Sequence, residues 1–248
     1  MPTVRTEQAN FPDISFTGRI GTGKSYLTDQ IIKMSPTGNY QRLSFAASLK
    51  QIEQYLQTHT PFQTLRYMLS KFGNVEPWKW LTLYRILQAC SKIEIETPKP
   101  RRRLQYLGNT IRERIRDSYW VEVALETYRR EKRLSLRYPD GDHVHFVCED
   151  ARYPNEISAL KKLGFITVKL VTDPDIRLWR IMKCYEKMDA MDPRLHAESE
   201  ESTDDPRNQF DYVLFNNNDD VAIEQMRDII FNYICAKEFM NSLIQEAQ

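Results

Sequence analysis

Glycine is scarce in this sequence, eight residues in 248. Cysteine is scarcer: the four, Cys90, Cys148, Cys184 and Cys235, are scattered without metal-ligand spacing. That argues against a structural zinc site and for reduced, packed or idle thiols. An excess of charge of either sign is also missing. With a formal net charge of +1, no general affinity for nucleic acid or an anionic membrane is expected, and any such binding would need a local patch. No apolar run approaches the roughly 18 residues of a membrane span. The opening MPTVRTEQANF lacks the apolar stretch of a secretory signal, so a cytoplasmic protein with no membrane partner is expected. The four histidines form no grouping that suggests a base or a metal site. What remains is a globular composition, 41% hydrophobic and 28% charged, with room for one elaborated domain or two small ones.

Three of the eight glycines fall within six positions, Gly18, Gly21 and Gly23. Concentrating the most permissive residue in this way predicts a special loop. Residues 13–17 before it read as a short strand. Lys24 to Met34 after it has Leu27, Ile31 and Met34 at helical spacing and is ended by Pro36-Thr37-Gly38. Tyr40 to Phe45 reads as a second strand, followed by the helix AASLKQIEQYL. Residues 52 to about 120 form a mostly helical tract rich in aromatics, with the basic cluster KPRRR at 99–103. The aromatics from Tyr67 to Tyr84 would make either a packed core or the surface of a homodimer. HVHFVC (143–148), FITVKLV (165–171) and DYVLF (211–215) read as further strands, and NEISALKKLG as a helix closed by Gly164. RLWRIMKCYEK (177–187) is a basic helix, and the acidic, aperiodic stretch 191–209 is expected to be mobile. A C-terminal helix shows an apolar face through Val221, Met226, Ile229, Ile230 and Tyr233. The alternation predicts an α/β fold with a parallel sheet and two helical excursions.

GRIGTGKS, Gly18 to Ser25, matches G-x-x-x-x-G-K-[ST] in full. Backbone N–H groups in such a loop, together with a helix N-terminus, form a concave anion site. A nucleoside triphosphate is therefore expected on Gly18, Arg19, Gly21, Thr22, Gly23, Lys24 and Ser25. Lys24 would reach the β- and γ-phosphates, and the Ser25 hydroxyl would ligate Mg²⁺. The motif does not by itself separate kinases from motors or switches.

CEDARYPNE, Cys148 to Glu156, narrows the choice. Asp150 and Arg152 follow directly on a predicted strand, where the carboxyl end of a parallel sheet opens into a ligand crevice. Asn155 reads as a plain helix cap. FTGRIGTGKS, RLSFAASLK, RRRLQYLGNTIRERIRDSYW and EDARYPNE occur in this order, followed by HAESE and FDYVLFNN. Together they resemble the bacteriophage-type deoxynucleoside monophosphate kinases, a branch of the P-loop nucleoside monophosphate kinases, from about Asp13 to Asn217.

The resemblance implies a P-loop three-layer sandwich with a mostly parallel sheet. Its core would be 1–50, 121–176 and 211–248, with a helical monophosphate-binding insertion at 51–120 and a small lid at 177–210. It further implies Mg²⁺-dependent transfer of the ATP γ-phosphoryl group to a deoxynucleoside 5′-monophosphate, in host cytoplasm if the protein is a phage's. Lys24, Asp150, Arg152 and Glu156 would be catalytic, and Arg177 and Arg180 would close over ATP. Arg101, Arg102, Gln105, Gly108, Asn109 and Trp120, with Asp150 and Arg152, would hold the monophosphate. His196 reads as an ordinary loop histidine. Three alternatives differ in kind: another small P-loop kinase, such as one acting on dephospho-coenzyme A; a nucleic-acid-binding ATPase using KPRRR; and a nucleotide-gated interaction module. The single basic cluster and near-neutral charge weigh against nucleic acid.

Overall fold

A computed structural model describes residues 11–34, 40–73, 75–96, 100–135, 144–184 and 198–246. The chain divides into two compact units, one of Met1–Leu43 with Glu131–Gln248 and one of Ser44–Arg130.

The first unit carries the strands β1 (Ile14–Thr17), β2 (Tyr40–Leu43), β3 (His145–Cys148), β4 (Ile166–Val171) and β5 (Tyr212–Phe215). They form one five-stranded sheet in the order β2-β3-β1-β4-β5, and every neighbouring pair is parallel. β1 is central and buried along its whole length. Its Ile14 and Phe16 face Leu27 and Ile31 of α1 (Lys24–Met34) and Met226 and Ile229 of α10 (Asp219–Glu246). The alternate residues Ser15, Phe146, Cys148 and Thr167 are also buried, so the other face is covered too, with α7 (Pro154–Lys162) against β4. A sheet covered on both faces needs short apolar strands joined by helical crossovers, and that is what the sequence supplies. The result is a three-layer α/β sandwich.

Two elements depart from the sequence expectation. α8 (Pro174–Cys184) begins three residues before Arg177, because Pro174 is suited to a first helical position. The stretch expected to be mobile holds the short helix α9 (Glu198–Glu201) and a tight 3₁₀ turn over Ser202–Asp204. Charge pairing to other segments orders it where periodicity gives no signal. Residues 185–197, including His196 and much of the expected lid, lie outside the described residues. No helix among the described residues is long and apolar enough to cross a membrane.

The second unit is helical: α2 (Ala46–Thr58), α3 (Pro61–Lys71), α4 (Trp80–Ser91), α5 (Arg101–Arg114) and most of α6 (Tyr119–Ser135). α3 starts from a capping box in which Thr60 and Gln63 exchange side-chain-to-backbone hydrogen bonds of 2.9 and 3.3 Å. The core gathers Ile52, Met68, Leu83, Leu87, Leu107 and Ile111. Of the aromatic tract, Tyr84 packs on this core, Tyr67 stacks on Tyr55 at 4.4 Å, and Trp78 is exposed.

Within this core lies an ion pair, Arg103 to Glu53 at 3.3 Å, with side chains 2% and 3% exposed. Gln57 Nε2 donates to the same carboxylate at 2.8 Å. Removing one partner leaves an uncompensated buried charge, which typically costs about 3–5 kcal/mol, whereas replacing both with apolar residues is often neutral. R103M should therefore lower the unfolding free energy by about that amount, and E53L/R103M should recover most of it in equilibrium denaturation. A double variant as unstable as the single one would contradict this account of the pair.

Candidate active site

The strand order reverses at β1, and in open parallel sheets such a switch point opens a crevice at the carboxyl ends of the strands. The glycine loop begins there, directly after Thr17, and leads into α1. Gly21 and Gly23 have φ of +84° and +88°, which only glycine adopts without strain. Space is as limiting as angle. A Cβ on Gly23 would lie 2.3 Å from Asn216 Nδ2, and one on Gly21 would lie 2.9 Å from the Arg177 carbonyl oxygen. The loop is therefore clamped between α8 and the β5–α10 connection. Asn216 completes the clamp by donating from Nδ2 to the Thr22 carbonyl at 2.9 Å.

Lys24 folds back over this loop, its Nζ donating to the carbonyls of Gly18 at 2.5 Å and Arg19 at 2.9 Å. Burial lowers its pKa from the ordinary 10.5 to about 8, with nearby Arg152 pushing the same way and Glu200, Glu149 and Asp150 opposing. Those four side chains define what surrounds the lysine.

The second half of CEDARYPNE is a frame for Arg152. Pro154 opens α7, and the Glu156 carboxylate accepts the N–H groups of Arg152 at 2.8 Å and Tyr153 at 3.2 Å. Glu156, expected among the catalytic residues, is 1% exposed, and its carboxylate is engaged with backbone N–H groups. Glu149 is tied to Arg42, which also pairs with Asp29 at 2.5 Å. Asp150 is half-buried, and its Oδ1 accepts from Cys148 Sγ at 3.5 Å. Burial raises the Cys148 thiol pKa well above its usual value, so the thiol stays protonated and inert.

Arg152 Nη1 donates to Glu200 Oε1, and Glu200 Oε2 accepts the Ile20 N–H of the glycine loop at 2.6 Å. Arg177 lies near the same carboxylate, and its buried Nη1 has no hydrogen-bond partner. Burial and the neighbouring Arg19 lower its pKa. Arg19 itself pairs with Asp204 at 2.7 Å. Arg180 is differently placed: it donates to the Asn216 carbonyl and to Asp219, both at 2.9 Å, and so braces the β5–α10 connection.

The structure therefore gathers Lys24, Asp150, Arg152 and Arg177 about the glycine loop. Ser25 is exposed in the first turn of α1. Ser25 and Asp150 offer the hard oxygen donors that Mg²⁺ prefers. No cluster of three or more acidic, histidine or cysteine ligands exists among the described residues.

In the second unit, Arg101, Gln105 and Asn109 recur at i, i+4 and i+8 and so share one face of α5. Arg102 lies off that face, exposed and paired with Glu96 at 3.0 Å. Trp120 is no open stacking platform: it is 2% exposed and donates from Nε1 to the Gly108 carbonyl at 3.1 Å. Gly108 is likewise buried, admitting Trp120 and Leu49 to the helix backbone. Core packing accounts for both residues.

The sequence reading missed Glu200, Asp204 and Asn216. The available signal was two carboxylates at i and i+4 in an otherwise aperiodic stretch, of opposite charge to Arg19 and Arg152.

The depressed Lys24 pKa has a definite sign. Between about pH 8 and 10.5 the unfolded chain holds a proton that the folded chain has released, so this group adds stability as pH rises through that window. A polyphosphate beside Lys24 would draw the proton back. Titration calorimetry with pyrophosphate at pH 8.5, in buffers of different ionisation enthalpy, should record net proton uptake that disappears in K24M. Uptake unchanged in K24M would mean another group titrates.

No protein-family model matches the sequence, and no curated protein matches it either. Among solved structures, TT1252 from Thermus thermophilus is 15% identical with a TM-score of 0.45, over 90% of this chain and 98% of that one. Shikimate kinase from Acinetobacter baumannii, in complex with shikimate, is 14% identical with a TM-score of 0.41, over 90% and 96%. Likenesses this distant carry no substrate across. The architecture stands on its own topology: a parallel five-stranded α/β sandwich with a complete phosphate loop at its switch point.

Proposed function

We propose that the protein is a small P-loop kinase transferring the γ-phosphoryl group of ATP to a deoxynucleoside 5′-monophosphate. One observation carries the phosphotransfer reading: Lys24, Arg152 and Arg177 lie about the glycine loop, with Lys24 bonded to the loop carbonyls and the Arg152 backbone held by Glu156. The acceptor class rests on the resemblance of EDARYPNE and RRRLQYLGN, and Arg101, Gln105 and Asn109 on one face of α5 are the groups we assign to it.

An oxygen of the acceptor phosphate forms a bond to the γ-phosphorus while the bond to the β-phosphate oxygen breaks, leaving ADP and a deoxynucleoside diphosphate. A phosphate-monoester oxygen is already nucleophilic, so no histidine base is required. The protein's work is positioning and neutralising spread charge. Lys24 and Arg177 hold the triphosphate, and Arg152 faces the phosphoryl group in transit, where a planar guanidinium pairs two oxygens at once. Glu156 fixes the Arg152 backbone. Mg²⁺, held through Ser25 and Asp150, would neutralise the β- and γ-phosphates.

A coupled ADP-release assay with MgATP should give turnover with one or more of dAMP, dGMP, dCMP and dTMP, exceeding that with dephospho-coenzyme A. Turnover confined to dephospho-coenzyme A, or ATP consumption requiring a polynucleotide, would replace this reading. R152A and K24A should each reduce kcat by roughly 10³-fold or more in folded protein. Near-normal turnover in either variant removes that residue from the catalytic set.

A further inference from the structure

Glu200 is a carboxylate closed off from solvent, 4% exposed. Burying a charge is costly unless it is paired and hydrogen-bonded, and here both oxygens are engaged. Oε1 accepts from Arg152, and Oε2 accepts the Ile20 N–H at 2.6 Å. The backbone beneath is fixed independently. Thr203 Oγ1 donates to the Glu200 carbonyl at 2.8 Å, while Asp204 pairs with Arg19 at 2.7 Å and Lys169 at 2.8 Å. One acidic segment thus grips the phosphate loop at two successive residues, Arg19 and Ile20, and also holds the arginine at the end of β3.

The charges around Glu200 are lopsided. Lys24, Arg152 and Arg177 all sense it, and Lys24 and Arg152 repel one another. An internal anion bonded to both Arg152 and the Ile20 N–H ties the arginine side chain to the loop. Conformational freedom left in a charge-stabilising group must be lost during turnover, and prior restraint removes that barrier.

We propose that Glu200 is the positioning residue for Arg152 in the transfer reaction inferred above, on which this role rests. Its carboxylate sets the guanidinium in register with the phosphate loop through the Ile20 N–H. It acts through Arg152 and touches neither nucleotide nor acceptor. A plain structural ion pair would instead lower stability and leave the chemical step alone.

The test compares E200Q, E200D, R152A and E200Q/R152A with wild type, using MgATP and the best acceptor, with thermal unfolding to confirm folding. E200Q should lose about 100-fold in kcat while its KM for ATP changes by less than about threefold, since Lys24, Arg177 and the loop remain. E200D, which keeps the charge and guards against a misfolded E200Q, should recover about tenfold. The double variant should be no slower than R152A, because both remove one device. Nitrogen-detected NMR should show slower rotation of the Arg152 guanidinium in wild type than in E200Q, whether or not turnover occurs. An E200Q kcat near wild type, or losses that multiply in the double variant, would overturn the positioning role alone. Wild-type inactivity towards every acceptor would overturn the functional reading, and this role with it.

Discussion

Cations crowded round one glycine loop repel one another, and most of what is unusual in the first unit answers to that constraint. Lys24 and Arg152 act on each other unfavourably, as do Arg19 and Arg177. A fold that holds these charges together needs fixed negative charge close by. Glu200 and Asp204 supply it from the side, each pairing with an arginine at the loop. Asp150 and Glu149 add to it from the end of β3.

Backbone carries the precision that side-chain charge alone would lack. The parallel sheet places the ends of β1 and β3 side by side, with Ser15 opposite Cys148, so the phosphate loop and the Asp150–Arg152 turn leave the sheet together. The loop's course is set by left-handed angles at Gly21 and Gly23 and by contacts from Asn216 and α8. Arg152 is set by the Glu156 carboxylate on its own N–H. These supports are local and short-range, which lets the site keep its shape while the repulsion among its cations persists.

Where local chemistry determines structure, the sequence was readable. Lys24–Met34 is helical to the residue expected, and GRIGTGKS joins a strand to that helix as expected; the next predicted helix start was one residue late, since α7 begins at Pro154 with Tyr153 as its cap and Asn155 lies inside it. The strands were found but trimmed, since their ends depend on pairing partners that periodicity cannot reveal. Residues whose role depends on a distant segment were misjudged. Trp120 could face a ligand or a core on pattern alone, and only the packing of α5 against α6 decides for the core. Glu200 and Asp204 lay in a stretch read as mobile because acidic residues without periodicity usually are. Their order comes from Arg152 and Arg19, 48 and 185 residues away in the chain.

The central claim is that the phosphoryl group leaving ATP arrives on a deoxynucleoside monophosphate rather than on water. Phosphorus NMR of a mixture of protein, MgATP and the four deoxynucleoside monophosphates would follow every product at once. The account predicts ADP and deoxynucleoside diphosphate appearing in equal amounts with little inorganic phosphate. ADP matched by inorganic phosphate, with every monophosphate unchanged, would contradict it.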